Sequence, residues 1–223
     1  MKKGCLSLMK DKLTIDDLKQ IFNGVARQII ENEDYLTLID KKIGDGDHGT
    51  NMALGFREVQ KELHSGNFNT INDVFHCVGM TLLDSMGGAS GVLFGTVFIS
   101  GIVGLEPLKE IDLTGLSQIF QGSLTALKKR GKANIGDKTM VDAFEPATLA
   151  LIEASNNKLS LKEGLNKAAE QAREGMEYTK KCVARFGRAK SFGEAAIGLE
   201  DTGAVSVWII FRSMAEWINQ NDK

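Results

Sequence analysis

The chain has 223 residues, 43% hydrophobic and 25% charged, with a formal net charge of −2. That length supports one domain with a substantial core, and the near-neutral charge offers no basic field to hold nucleic acid or an acidic membrane. Cys5, Cys77 and Cys182 are scattered without disulfide or metal spacing, which fits a reducing, cytoplasmic setting.

Residues 1–12 read as an N-terminal extension, with an apolar stretch too short for a signal peptide. A single domain is expected over residues 13–223. Thr14 and Asp17 form a start signal before the helical stripe Ile15, Leu18, Ile21, Phe22, Val25 and Ile29. Further helices are expected at residues 51–63, along Ile71, Val74, Phe75 and Val78, and at 89–105. The apolar run 91–105 is interrupted by glycines and polar residues and is too short for a membrane span, so it reads as a buried helix. Leu113, Leu116, Ile119, Phe120, Leu124 and Leu127 form another stripe, followed by a helix at 141–155. Ser160 and Glu163 make a capping box before a helix reaching residue 184 or so. In the last segment, 203–218, VSVWIIF resembles a strand, yet Ala204, Val207, Trp208, Phe211 and Ala215 share one helical face. No strand–turn–strand pattern stands out. The expectation is an all-α fold: an up-and-down bundle or closed barrel of about eight antiparallel helices.

Between the helices lie four glycine-rich segments. The first, IGDGDHGTNM (residues 43–52), matches the dinucleotide fingerprint G-x-G-x-x-G. That reading needs a βαβ unit, and Asp45 and Asp47 would repel a pyrophosphate. An EF-hand fails too, because Thr50 and Phe56 stand where glycine and glutamate are required. Metal ligation resolves the contradiction. Asp40, Asp45 and Asp47 offer hard oxygen donors suited to Mg²⁺, which bridges carboxylates to phosphates. Three carboxylates carry −3; one Mg²⁺ leaves about −1, whereas two give about +1, to which a helix N-terminus adds roughly +0.5. Two Mg²⁺ ions are therefore expected, against the plainer alternative of an acidic, solvated turn. His48 reads either as a surface or capping residue or as a hydrogen-bond donor to phosphate.

The second segment, SMGGASG (85–91), allows backbone amides and the Ser90 hydroxyl to approach a phosphate. The four-residue spacing of Gly87, Gly91 and Gly95 would equally serve helix packing. The third, GKANIGDKTM (131–140), misses the Walker pattern because Asp137 separates Gly136 from Lys138. Lys138 and Met140 then read first as turn and core residues, although they could attract phosphate and pack on a base. The fourth, GRAKSFGEAAIGLEDTGAVS (187–206), is long enough for a functional loop or lid. Arg188 is a candidate phosphate contact or a surface ion pair with Glu194, and Asp201 a candidate acceptor. Gathering at one rim, these segments would form a nucleotide mouth.

In this order, IGDGDHGTNMALGF, SMGGASGVLFG, GDKTMVDAFEPA and GRAKSFGEAAIGLEDTGAVS strongly resemble the nucleotide-binding L subunits of dihydroxyacetone kinases. The resemblance implies a barrel of eight antiparallel helices. It assigns Asp40, Asp45 and Asp47 to two Mg²⁺ ions. His48, Gly49, Thr50, Asn51, Ala89 and Ser90 go to the nucleotide phosphates, Gly131 and Met140 to the adenine side, and Arg188, Asp201, Thr202 and Gly203 to a closing turn. In the phosphotransferase-linked form, bound ADP is rephosphorylated by a phosphohistidine on an M subunit. The ATP formed then phosphorylates the ketone on a K subunit. The lone L domain favours that form over an ATP-exchanging kinase. A second implied role is nucleotide-dependent binding of a transcription regulator. The related fatty-acid kinase domain typically has threonine where His48 stands. One departure is Asp201-Thr202-Gly203, where many members have Asp-Pro-Gly. Loss of the proline constraint on φ suggests a looser lid, and with it a nucleotide that exchanges or another short ketose as substrate.

Overall fold

The computed structural model describes residues 10–222. Residues 1–9 of the expected extension, with Cys5, lie outside them. Lys10 and Lys12, assigned by sequence to that extension, are tied to the body: the Lys10 amide donates to Asp222 at 2.7 Å, and Lys12 pairs with Glu110.

Nine α-helices account for most of the described residues: α1 (Ile15–Glu31), α2 (Glu33–Ile43), α3 (His48–Ser65), α4 (Ile71–Ser85), α5 (Gly88–Ser100), α6 (Leu113–Gly131), α7 (Val141–Asn156), α8 (Leu161–Tyr178) and α9 (Thr202–Asn221). Reciprocal capping boxes start three of them, pairing Thr14 with Asp17, Thr70 with Asp73 and Ser160 with Glu163. Each satisfies two backbone donors that a helix start otherwise leaves unpaired.

The helices close into a ring in the order α1, α3, α4, α5, α6, α7, α8, α9 and back to α1. The lumen is filled by phenylalanines, one each from α1, α4, α5, α6, α7 and α9: Phe22, Phe75, Phe98, Phe120, Phe144 and Phe211. Their ring centroids lie between 5.2 and 6.4 Å apart along this chain of contacts. Offset and edge-on pairs of this kind add about 0.5–1.5 kcal/mol each beyond burial. No described helix is long and apolar enough to cross a membrane.

The ring has the expected eight helices; α2 is a ninth, packed outside it against α3 and α9. Only Asn32 separates it from α1, and its buried face is short: Leu36, Ile39, Asp40 and Ile43. Two three-residue strands were also not foreseen: β1 (Lys12–Thr14) pairs antiparallel with β2 (Glu110–Asp112), Leu13 opposite Ile111. Each is too short to show a period, and their pairing spans most of α1 to α5 in sequence. α5 ends at Ser100 rather than near 105. α8 stops at Tyr178, not near 184, and continues as a 3₁₀ turn at Thr179–Lys181. There the Thr179 hydroxyl donates back to Met176 O at 2.6 Å and accepts from Asp201 N at 3.0 Å. The helix end is thereby tied to the segment that leads into α9.

Candidate functional site

The supposed single acidic turn is built from two helices. Asp40 belongs to the last turn of α2 and is buried, whereas Asp45 and Asp47 lie in the link to α3. Gly46, at φ +78°, makes the reversal that aims both back at Asp40. The Gly46 amide donates to Asp40 Oδ2 at 2.8 Å, and the His48 amide reaches the same oxygen at 3.4 Å. Asp47 sits at the N-cap of α3, but its carboxylate caps no helical amide. It turns instead toward the other two acids. One oxygen from each of Asp40, Asp45 and Asp47 lies within 4.8 Å of the others. Burial, and then the neighbouring Asp45 charge, pushes the Asp47 pKa above its ordinary value. Three converging carboxylates with an elevated pKa among them fit a hard divalent cation.

Arg188 supplies the countercharge in this structure. Its Nε lies 2.9 Å from Asp45 Oδ2. The ion-pair partner is thus Asp45 and not Glu194, because Gly193, at φ +52°, kinks the 3₁₀ segment Arg188–Ala196 between them. That segment rests on α2 through a small apolar cluster of Ile43, Ala184, Ala189 and Ala196.

Beside the acids runs a cleft in two halves. The first, about 430 Å³, is lined by Asp40, Asp45, Asp47, Asn51, the Gly87–Ser90 start of α5, and Arg188. The second, about 460 Å³, is lined by Leu93, Phe94, Gly131, Met140 and Gly203 together with Arg130, Lys138 and Thr139, and most of its exposed lining is apolar. His48, Ala89, Ser90, Phe186, Gly187 and Asp201 border both halves. All four glycine-rich segments therefore meet at this one mouth. The size and the polar-to-apolar gradient suit an elongated ligand with a charged end and a flat apolar end.

Several expected residues take other places. Gly49 does not line the cleft. A Cβ there would clash with Thr37 Oγ1 and Glu33 O, so glycine lets α3 lie against α2. Thr50 is exposed, and its hydroxyl returns to Asp47 O at 2.9 Å. Thr202 is buried at the first position of α9, with its hydroxyl 3.3 Å from Asp40 Oδ1. Asn51 borders the first half, and its backbone amide donates to Asp47 O at 2.9 Å. In the second glycine-rich segment the two readings divide between residues. Gly87 borders the cleft, while Gly91 packs against Met86 and Gly95 against Gly79.

His48 is neither a surface residue nor a free donor. It is buried, with Nε2 2.8 Å from Ser206 Oγ and Nδ1 3.4 Å from Ser90 Oγ. Burial lowers its pKa to about 4. Asp201 caps α9 by accepting from Ala204 N at 2.8 Å. Burial pushes its pKa up to about 7, with Asp142 adding to the shift. Lys138, also buried, donates to Thr179 O at 2.6 Å and to Leu199 O, and burial lowers its pKa. It pins the closing segment to the third turn and is already engaged by backbone carbonyls. Phe186, which borders both halves, gave no sequence signal beyond being one aromatic in a glycine-flanked loop.

The chain as a whole has counterparts among known proteins. The model of the DAK2 domain family matches residues 42–216. The chain belongs to that family. It is 39% identical over 199 residues to the ADP-binding subunit DhaL of the PEP-dependent dihydroxyacetone kinase of Escherichia coli, covering 88% of this chain and 95% of that one. The PTS-dependent counterpart of Lactococcus lactis is 36% identical over 204 residues, covering 92% and 98%. Among solved structures, the dihydroxyacetone kinase of C. freundii in complex with AMP-PNP and Mg²⁺ superposes with a TM-score of 0.71 at 26% identity. That match covers 96% of this chain and 36% of the other.

Proposed function

We propose that this DAK2-family chain is the nucleotide-binding subunit of a phosphotransferase-linked dihydroxyacetone kinase. In this reading it holds Mg-ADP as a coenzyme, which a phosphohistidine on an M subunit recharges to ATP. The ATP then passes its terminal phosphoryl group to a ketone held by a K subunit. One observation carries the reading: three carboxylates converge at the charged end of a cleft whose other end is apolar. The relatives of matching length, named as ADP-binding subunits of such kinases, support it.

Asp40, Asp45 and Asp47 would hold two Mg²⁺ ions, which neutralise charge on the transferring phosphoryl group. The rest falls to the chain's own groups. The residues of the first turn of α5, Gly88, Ala89 and Ser90, line the charged half, and their amides and the Ser90 hydroxyl would orient phosphate oxygens. Arg188 exchanges its contact with Asp45 for one with phosphate. Leu93, Phe94 and Met140 hold the base, and Phe186 screens the joint between the halves from water. The reaction needs no nucleophile from this chain: the phosphohistidine and the ketone hydroxyl lie on the partners, and the chain's task is to position the nucleotide.

The test is the nucleotide and metal content of the purified, denatured protein. About one ADP and two Mg²⁺ per chain is the expected result. An empty protein that binds ADP weakly when Mg²⁺ is added would instead favour an ATP-exchanging kinase subunit. No binding under either condition would remove the functional reading and leave the family membership standing.

A further inference from the structure

Ser206 lies on the second turn of α9, fully buried, and lines neither half of the cleft. Its hydroxyl is 2.8 Å from His48 Nε2. Two other buried hydroxyls on these helices turn back to the carbonyl one turn earlier: Thr148 to Phe144 and Ser213 to Ile209. Ser206 does not, and among the described residues its hydroxyl meets His48 alone.

A buried hydroxyl proton without an acceptor bears the full desolvation penalty of that group. Ser206 therefore donates, and His48 Nε2 accepts. Were Nε2 protonated, Ser206 would have to accept, and its own proton would be stranded; the imidazolium form fails for the same reason. The remaining ring proton sits on Nδ1, which faces Ser90 Oγ at 3.4 Å. Nδ1 donates to that oxygen. The Ser90 proton is then left free to point into the cleft that Ser90 borders.

We propose that Ser206, His48 and Ser90 form a directed hydrogen-bond chain in which Ser206 is a positioning residue. It sets the His48 tautomer and thereby makes Ser90 a donor to an anionic oxygen of the ligand. Run in the opposite sense, the chain would draw the Ser90 proton onto Nδ1 and turn the Ser90 lone pairs toward the ligand. A phosphate oxygen would then meet repulsion. The identity of the ligand rests on the nucleotide reading above; the tautomer is a property of the protein alone.

The first measurement is long-range proton–nitrogen correlation NMR of histidine-labelled wild-type protein. The chain has three histidines, so three ring systems are expected, with His48→Gln as the assignment control. The expected His48 ring carries its proton on Nδ1 and an unprotonated Nε2; Ser206→Ala should lose that pattern. The Nε2–H tautomer in wild type would overturn the proposal without any variant. The second measurement is the affinity for Mg-AMP-PNP of wild type, Ser206→Ala, Ser90→Ala and the double variant. Ser206→Ala should weaken binding about three- to tenfold, and the double variant should bind no more weakly than Ser90→Ala, because both act through one donor. Full additivity of the two losses would sink the chain. A wild-type protein with the Nδ1–H tautomer and no nucleotide affinity would remove the functional reading while upholding the hydrogen-bond chain.

Discussion

Arg188 occupies one oxygen of Asp45, at 2.9 Å, in a cluster whose remaining charges are all negative. The guanidinium does here part of what a divalent cation would do: it offsets like charges that crowd one another. The two side chains are 77% and 40% exposed, so the pair contributes little to folding, about 0–1 kcal/mol. Arg188→Gln should leave the melting temperature nearly unchanged. Loss of a charge-assisted hydrogen bond to phosphate should weaken Mg-ADP binding by about ten- to a hundredfold, from roughly 1.5–3 kcal/mol. Calorimetric titration alongside a melting curve separates the two effects; an affinity equal to wild type would exclude Arg188 from the ligand.

Asp47 carries a raised pKa, first through burial and then through Asp45. Removing either charge relieves repulsion in the protein without nucleotide. Asp45→Asn and Asp47→Asn should therefore fold as well as wild type or slightly better, yet lose Mg-nucleotide binding. Melting without nucleotide and titration with it give the two readings. Unchanged ADP affinity in both variants would refute the metal site.

Acidification acts on His48 and Asp201 with opposite signs. The folded-state pKa of His48 is depressed to about 4, so the unfolded chain binds the extra proton first. Stability from this residue falls as pH drops from about 6.5 to 4, by about 3 kcal/mol. The folded-state pKa of Asp201 is raised to about 7, so the folded chain keeps its proton longer. Its contribution is lost as pH rises from about 4 to 7. The two slopes oppose each other across this window. Asp201→Asn removes one of them, and its stability should rise with pH between about 4.5 and 6.5 more steeply than that of wild type. Denaturant titrations at stepped pH decide the matter; parallel profiles would contradict it.

Thr202 stands at the first position of α9, where proline is readily accommodated. What the hydroxyl adds is its contact with Asp40 Oδ1. Thr202→Pro should fold with equal or slightly higher stability, because proline restricts the unfolded chain. Thr202→Val removes the hydroxyl without that restriction. Both variants should weaken Mn²⁺ binding, by about tenfold if Thr202 orients a metal ligand. Retained Mn²⁺ affinity in both would confine Thr202 to the helix start.

Gly49 offers a contrast between packing and binding. A methyl group there would press on Thr37 and the Glu33 carbonyl. Gly49→Ala should cost about 1–3 kcal/mol through overpacking between α2 and α3, seen as a lower melting temperature. A variant as stable as wild type would show that the helices separate easily.

Most of the ring was legible in the sequence, because capping boxes and apolar stripes act within a few residues of one another. Thr14 with Asp17 and Ser160 with Glu163 identified helix starts in this way. The acid trio was legible for the same reason, since Asp40, Asp45 and Asp47 lie within eight consecutive residues. Features that depend on partners far away in the chain arise only in the folded molecule. The short helix α2 owes its place to α3 and α9, and the pairing of β1 with β2 sets Leu13 opposite Ile111, 98 residues further along the chain. The contacts of Arg188 with Asp45, of Thr202 with Asp40 and of Ser206 with His48 arise only once the ring closes and brings the start of α9 beside the link into α3. A side chain's role in this cleft is set by which oxygen or ring nitrogen it meets, and that is a property of the closed ring, not of local spacing.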